Sequence, residues 1–294
     1  MRVTYTLLVV CVSQSRCPIQ SDTTAVWYGT TGSGGVGSLS EQWTQRFFDW
    51  WTTYDRNLKV QKLTARQVSH DCELTRFTNL KLYMQPGGDA YQQQLTLGSR
   101  GKNNINKYLD QGGSYFGVCA GWYYASSDYY WQSTYYAWPN LLGRAPTAEG
   151  SIIDLADYEG LDPFAITRSS NLDKSYLENV VYYGGPTRGW KDTPDNVPGE
   201  TLLFFDEAFA KDGKPLIGAW KTRNGRMLFT SAHLEAYEGV GIQGYMSQDR
   251  QANYIWLSTQ LNGVMGTNFH VPSRSDPILH LNQSLFPDAN RTKV

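Results

Sequence analysis

Hydrophobic and polar positions along the chain read as strands separated by helices. Ala25-Val26-Trp27-Tyr28 is a short apolar run with the length of a buried strand. A glycine-rich loop follows, and Ser38-Leu39-Ser40-Glu41 then has capping-box spacing ahead of Trp43, Phe47, Trp50, Trp51 and Tyr54, which recur at helical intervals. A second unit repeats the order. Lys81-Leu82-Tyr83-Met84 reads as a strand, and Ile105, Tyr108 and Leu109 mark a helix stopped by Gln111-Gly112-Gly113. Ser114-Tyr115-Phe116-Gly117-Val118 is a third strand, and the segments Pro215 to Trp220 and Arg226 to Thr230 flank Asn224-Gly225, the favoured pair for a tight hairpin. Alternating strands and helices predict an α/β domain with a mainly parallel sheet, whose ligand crevice lies beyond the carboxyl ends of the strands.

Composition narrows the partners. The 26 basic and 27 acidic residues leave a net charge of -1 spread along the chain, without the basic footprint that a phosphate backbone requires, so nucleic acid is not an expected partner. Ten Trp and 20 Tyr beside 18% charged residues fit a rigid domain with aromatic clefts better than a disordered chain. At the N-terminus, Met1-Arg2 precedes the apolar run VTYTLLVVCV and then Ser13-Gln14-Ser15, a small-x-small pattern. The run is too short to span a bilayer. It reads as a signal peptide over residues 1–15, followed by one domain over 16–270 and a polar tail over 271–294, in a secreted protein with no membrane partner; a buried first strand is the alternative. Cleavage would remove Cys11 and leave Cys17, Cys72 and Cys119. If Cys119 is held on a constrained turn, Cys17 and Cys72 are the natural disulfide pair, the other reading being three free thiols in a cytosolic protein. Asn282 and Asn290 begin N-x-Ser/Thr sequons and are candidate glycosylation sites.

Three motifs carry candidate chemistry. Gly32-Ser33-Gly34-Gly35-Val36-Gly37 matches the G-x-G-x-x-G of dinucleotide sites, with Asp55 placed 18 residues further on, but the capping signal starts the helix only after the last glycine. A close-approach turn beside the crevice is the stronger reading, and no cofactor is expected. His70-Asp71-Cys72 offers too few ligands for zinc, so no metal is expected either. Gly117-Val118-Cys119-Ala120-Gly121 has the G-x-nucleophile-x-G form of an elbow between strand and helix, which would project Cys119 at the strand end; a buried packing cysteine is the bland alternative. Of the four histidines only His233 stands out, because Ser231-Ala232-His233-Leu234-Glu235 follows the second hairpin strand, and period two puts His233 and Glu235 on one side. A carboxylate orienting an imidazole aimed at a thiol is the logic of covalent acyl chemistry. The aromatic run from Trp122 to Trp138 makes Trp122 and Tyr123 candidate substrate contacts, against the plainer role of core and lid packing.

Gln85-Pro86-Gly87-Gly88-Asp89 after a strand, GVCAG, and His233-x-Glu235 near the domain's end together resemble the class I glutamine amidotransferase-like fold. The longer string GGSYFGVCAGWYYASS, with the glycine-rich first loop and Tyr182-Tyr183-Gly184-Gly185-Pro186, resembles the N-terminal domain of fungal and other eukaryotic biotin-protein ligases, which also occurs as a stand-alone protein. The resemblance implies a three-layer α/β/α sandwich, with Cys119 as nucleophile, His233 as base and Glu235 as orienter. It also implies an oxyanion hole of backbone N–H groups near Gly87 or Gly88 and at Ala120. Tyr123 stands where glutamine amidotransferases usually carry Gln, and Leu234 replaces the Pro of their His-Pro-Glu, which argues against glutamine as substrate. Two function classes follow: a secreted cysteine hydrolase or amidotransferase-like enzyme acting on a small-molecule or peptide amide, or a catalytically inactive binding module on the same scaffold.

Overall fold

The structure, a computed structural model, describes residues 17–150, 164–168, 177–182, 184–187, 199–205, 217–236 and 249–273. The expected signal peptide and the sequons at Asn282 and Asn290 lie outside the described residues. The strands are β1 (Ala25–Tyr28), β2 (Val60–Leu63), β3 (Leu82–Gln85), β4 (Ser114–Val118), β5 (Tyr129–Trp131), β6 (Thr134–Tyr136), β7 (Ala148–Gly150), β8 (Phe164–Arg168), β9 (Leu177–Val181), β10 (Gly199–Phe205), β11 (Ile217–Thr222) and β12 (Met227–Thr230). The α-helices are α1 (Ser38–Tyr54), α2 (Ala90–Asp110), α3 (Ala120–Ala125) and α4 (Asp249–Met265).

Nine of these strands form one sheet in the order β2-β1-β3-β4-β12-β11-β10-β8-β9. Strands β2, β1, β3, β4 and β12 run parallel, and β11, β10, β8 and β9 extend the sheet by antiparallel pairing from the β11–β12 hairpin. Side chains of successive strand residues point to opposite faces. In β1, Val26 and Tyr28 join the core under α2 and α3, while Ala25 and Trp27 join the core under α1 and α4. The same alternation sends Tyr83 and Tyr115 to one face and Met84 and Phe116 to the other. Because both faces are covered, the central strands are apolar throughout, and the molecule is the expected α/β/α sandwich.

Helix α1 presents Phe47, Trp50 and Trp51 to the sheet, and Phe47 and Trp50 pack edge-on against Tyr254 of α4 with centroids 5.2 and 5.1 Å apart. The helix begins one residue earlier than its capping-box spacing predicts. Gly37 is the N-cap, with no side-chain cap, so Glu41 falls outside the box and pairs with Lys62 on β2. That shift leaves Ser40 buried at the third helical position, facing the second strand–helix loop. Asp89 caps α2 by accepting from the N–H groups of Tyr91 and Gln92. Cys17 and Cys72 form the expected disulfide, with Cα atoms 5.0 Å apart, tying the segment before β1 to the turn after β2. In the loop-entropy account, closing a loop of this size stabilises by about 4 kcal/mol. No helix among the described residues is long and apolar enough to cross a membrane.

Candidate functional site

The carboxyl ends of β1, β3, β4 and β12 gather four loops, and the motifs singled out in the sequence lie there. At the end of β4 the chain turns sharply into α3, and Cys119 is the residue at the turn, with φ +50°. A non-glycine residue rarely adopts a left-handed φ, so the surrounding structure must hold it there. It is anchored by its own N–H donating to Thr230 O at 2.9 Å, and its carbonyl accepts from Trp122 N at 3.0 Å. The flanking glycines permit the turn by close approach: a Cβ on Gly121 would overlap the Gln85 carbonyl of β3, and one on Gly117 would sit 2.8 Å from Gly121 O. Helix α3 is thereby pressed onto the ends of β3 and β4, with the cysteine at their junction.

Strand β12 delivers the second component. Its last residue pairs with Val118, so the chain leaving it passes beside Cys119. His233 and Glu235 follow, and His233 Nδ1 and Glu235 Oε1 are 2.8 Å apart. The Cys119 side chain hydrogen-bonds to His233, and with Nδ1 committed to Glu235 the partner is Nε2. The three side chains form a continuous buried line, 5%, 5% and 0% exposed. Trp43 of α1 packs edge-on against the imidazole at 5.1 Å, and Tyr254 of α4 donates to the Glu235 backbone carbonyl at 3.0 Å. Burial by itself pulls the imidazole pKa down, but the Glu235 carboxylate and the Cys119 side chain more than offset it and push the value up to about 10. A protonated imidazole can donate from both ring nitrogens, to the carboxylate on one side and to the sulfur on the other.

The remaining expected site residues fall as follows. Gly87 lies against the His233 ring, where a Cβ would stand 3.1 Å from Nε2, but its N–H donates to Ser40 Oγ at 2.9 Å. Gly88, at φ +140°, is held against the first loop: Gly37 N donates to Gly87 O and Asp89 N to Gly35 O, at 3.1 and 2.7 Å. Ala120 is the first residue of α3, so its N–H has no acceptor within the helix. Trp122 is turned into the core and stacks on Phe229 at 5.6 Å, a packing role rather than an exposed substrate platform. Tyr123 is also buried, between Tyr129 and Trp131, and donates to Gly184 O at 3.0 Å.

The glycine-rich loop is the close-approach turn. Its backbone is spent on Gly87 and Asp89, and Asp55 lies at the far end of α1, where it accepts from His270 N at 2.7 Å. Nothing in that arrangement leaves Asp55 near a ribose bound at the loop. His70 Nδ1 contacts Ser69 Oγ at 2.6 Å and Cys72 is in the disulfide; no group of metal-binding side chains occurs among the described residues.

Ser40, Trp43 and Tyr182 are neighbours of the site that pattern reading missed. Tyr182 donates to Gly185 O at 2.9 Å, and burial together with the nearby Cys119 drives its pKa up, keeping the phenol neutral. It lies in the Tyr182-Tyr183-Gly184-Gly185-Pro186 string already noted. Ser40 and Trp43 share a helix face at i and i+3, a signal masked by the stronger capping pattern.

The family described as biotin-protein ligase, N terminal, matches residues 50–137, a span that includes the elbow. No curated protein matches the chain. Among solved structures, a glutamine amidotransferase is 15% identical over 79% of this chain and 98% of its own, with a TM-score of 0.48. PurLQS from Thermotoga maritima is 11% identical over 82% and 98%, at 0.49. A ThuA-like protein from Bacteroides uniformis is 13% identical over 83% and 91%, also at 0.49.

Proposed function

We propose that this chain is a cysteine-dependent hydrolase or amidotransferase-like enzyme, exported from the cell, whose Cys119–His233–Glu235 triad acts on an amide or related acyl substrate of a small molecule or peptide. The observation that carries the reading is the hydrogen-bonded line from thiol to imidazole to carboxylate, with Cys119 held at φ +50° on a turn that two glycines make possible. Packing alone does not call for a positive-φ cysteine, and a buried structural thiol needs no imidazole partner. In this reading the Cys119 sulfur attacks the acyl carbon, His233 gives its proton to the leaving amine, and Glu235 holds the ring with Nε2 toward the sulfur. The Cys17–Cys72 disulfide supports export, since such bonds persist in oxidising compartments.

The second reading, a binding module that retains the elbow as scaffold, is favoured by one observation: of the amides at Gly87 or Gly88 expected to hold an oxyanion, that of Gly87 already has an acceptor in Ser40. Thiol labelling separates the two. At about pH 7, Cys119 should alkylate with iodoacetamide at least tenfold faster than a free model thiol, and His233→Ala should remove most of that advantage. A wild-type rate no faster than the model thiol, or equal rates in both proteins, rules out the enzyme reading.

A further inference from the structure

The geometry points to the Ser40 hydroxyl, in place of the Gly87 N–H, as the side-chain member of the oxyanion hole. This rests on the acyl-transfer reading above and adds a residue to it. Ser40 is only 3% exposed, on the first turn of α1, and its Oγ accepts from Gly87 N at 2.9 Å. That bond uses an oxygen lone pair and leaves the O–H proton unspent; among the described residues it has no acceptor. A buried hydroxyl with an unused proton is unfavourable unless something arrives to take it.

Gly87 sets where Ser40 lies relative to the imidazole. A Cβ there would overlap His233 Cε1 and stand 3.1 Å from both His233 Nε2 and Ser40 Oγ, so only a bare glycine lets the ring close onto this backbone with the buried hydroxyl beside it. The Gly87 N–H points at Ser40 and is not free for a ligand, but by donating to Oγ it polarises the hydroxyl and strengthens it as a donor. Ala120 N–H, at the start of α3, is the second donor.

In the step served, the Cys119 sulfur forms a bond to the acyl carbon, and the carbonyl π pair moves onto oxygen. Ser40 O–H and Ala120 N–H hold the resulting anion. Collapse re-forms the carbonyl, breaks the bond to the leaving group and leaves a thioester on Cys119; an amine leaves with the His233 proton, whereas a nitrophenolate leaves as the anion. Water then cleaves the thioester, giving one proton to His233 and its hydroxyl to the acyl group while the Cys119 sulfur leaves as thiolate; after nitrophenolate has left, His233 first releases its own proton to solvent so that it can accept the one from water.

Two probes that differ only in whether an oxyanion forms test the assignment. p-Nitrophenyl acetate acylates through a tetrahedral oxyanion, while iodoacetamide alkylates by displacing iodide without one. Ser40→Ala should slow acylation of Cys119 by roughly 10- to 100-fold, toward the loss seen when an oxyanion donor is removed elsewhere. Its iodoacetamide rate should stay within about twofold of wild type. The shape-matched pair Ser40→Thr and Ser40→Val repeats the contrast if the alanine variant folds poorly, the Thr protein acylating at least about tenfold faster than the Val protein at equal alkylation. Unchanged acylation in Ser40→Ala, or an equal loss with both probes, overturns the role, the second outcome meaning that Ser40 only positions the imidazole. If wild-type Cys119 reacts with neither probe faster than a model thiol, the acyl-transfer reading itself has failed and Ser40 falls with it, an outcome distinct from loss of the Ser40 role alone.

Discussion

Two glycine-bracketed segments, Gly32–Gly37 after β1 and Gly117–Gly121 after β4, look alike as sequence and do opposite things. Both sit at the carboxyl end of a parallel strand, and both lead into a helix. The first lies against the second strand–helix loop, its backbone bonded to Gly87 and Asp89 and its Val36 bridged to Gly88, so it stiffens the wall of the site. The second is tightened by contact with β3 and places the Cys119 side chain at the junction of strand and helix. A glycine pattern therefore reports only that backbone approaches backbone. What the approach accomplishes depends on which side chain is left between the glycines and on what the rest of the fold aims at it.

The comparison is broken most severely by removing chemistry from the elbow. Cys119→Ala and His233→Ala should each lower acylation by p-nitrophenyl acetate by roughly 10⁴-fold or more, and the double variant should lose little beyond either, because members of one catalytic unit are strongly non-additive. Stopped-flow nitrophenolate release measures this, and additive losses would mean the residues do not act together.

The next largest effect is expected in the wall. A Cβ on Gly88 would collide with the Gly35 carbonyl at a φ that side chains rarely adopt, so Gly88→Ala should cost about 3 kcal/mol or more in urea unfolding. Gly32→Ala has open space and only the strain of φ +62°, and should cost about 1 kcal/mol. Equal losses at both positions would show that loop docking contributes nothing.

The smallest effect concerns pH. The folded pKa of His233 is pushed up to about 10, above its ordinary 6.5, so its charged form stabilises the native state. That contribution is fully present below about 6.5 and is lost as pH rises through about 10. Between about pH 6 and 10 the wild-type Tm should fall a few degrees more than that of His233→Gln. Parallel profiles would indicate that the Glu235 carboxylate does not hold a charged imidazole.

Much of the scaffold was legible in the pattern of apolar residues. The run Ala25–Tyr28 is β1, SYFGV is β4, and the Asn224-Gly225 pair joins β11 to β12, because a strand buried on both faces needs continuous apolar sequence and a two-residue hairpin needs positive φ. The capping box was misread by one residue. Its acidic member has a tertiary partner instead, because Glu41 pairs with Lys62 on β2.

Sequence alone therefore determined the layered α/β order, the place of the elbow and the cysteine left to pair with His233, since these follow from local periodicity and from the small supply of Cys and His. Tertiary structure decided the uses of the polar groups. Whether the Gly87 amide is open or spent, whether Trp122 faces ligand or core, and whether Ser40 faces solvent or a neighbouring loop depend on which distant segment arrives within hydrogen-bonding distance, and residue spacing along the chain carries no such information.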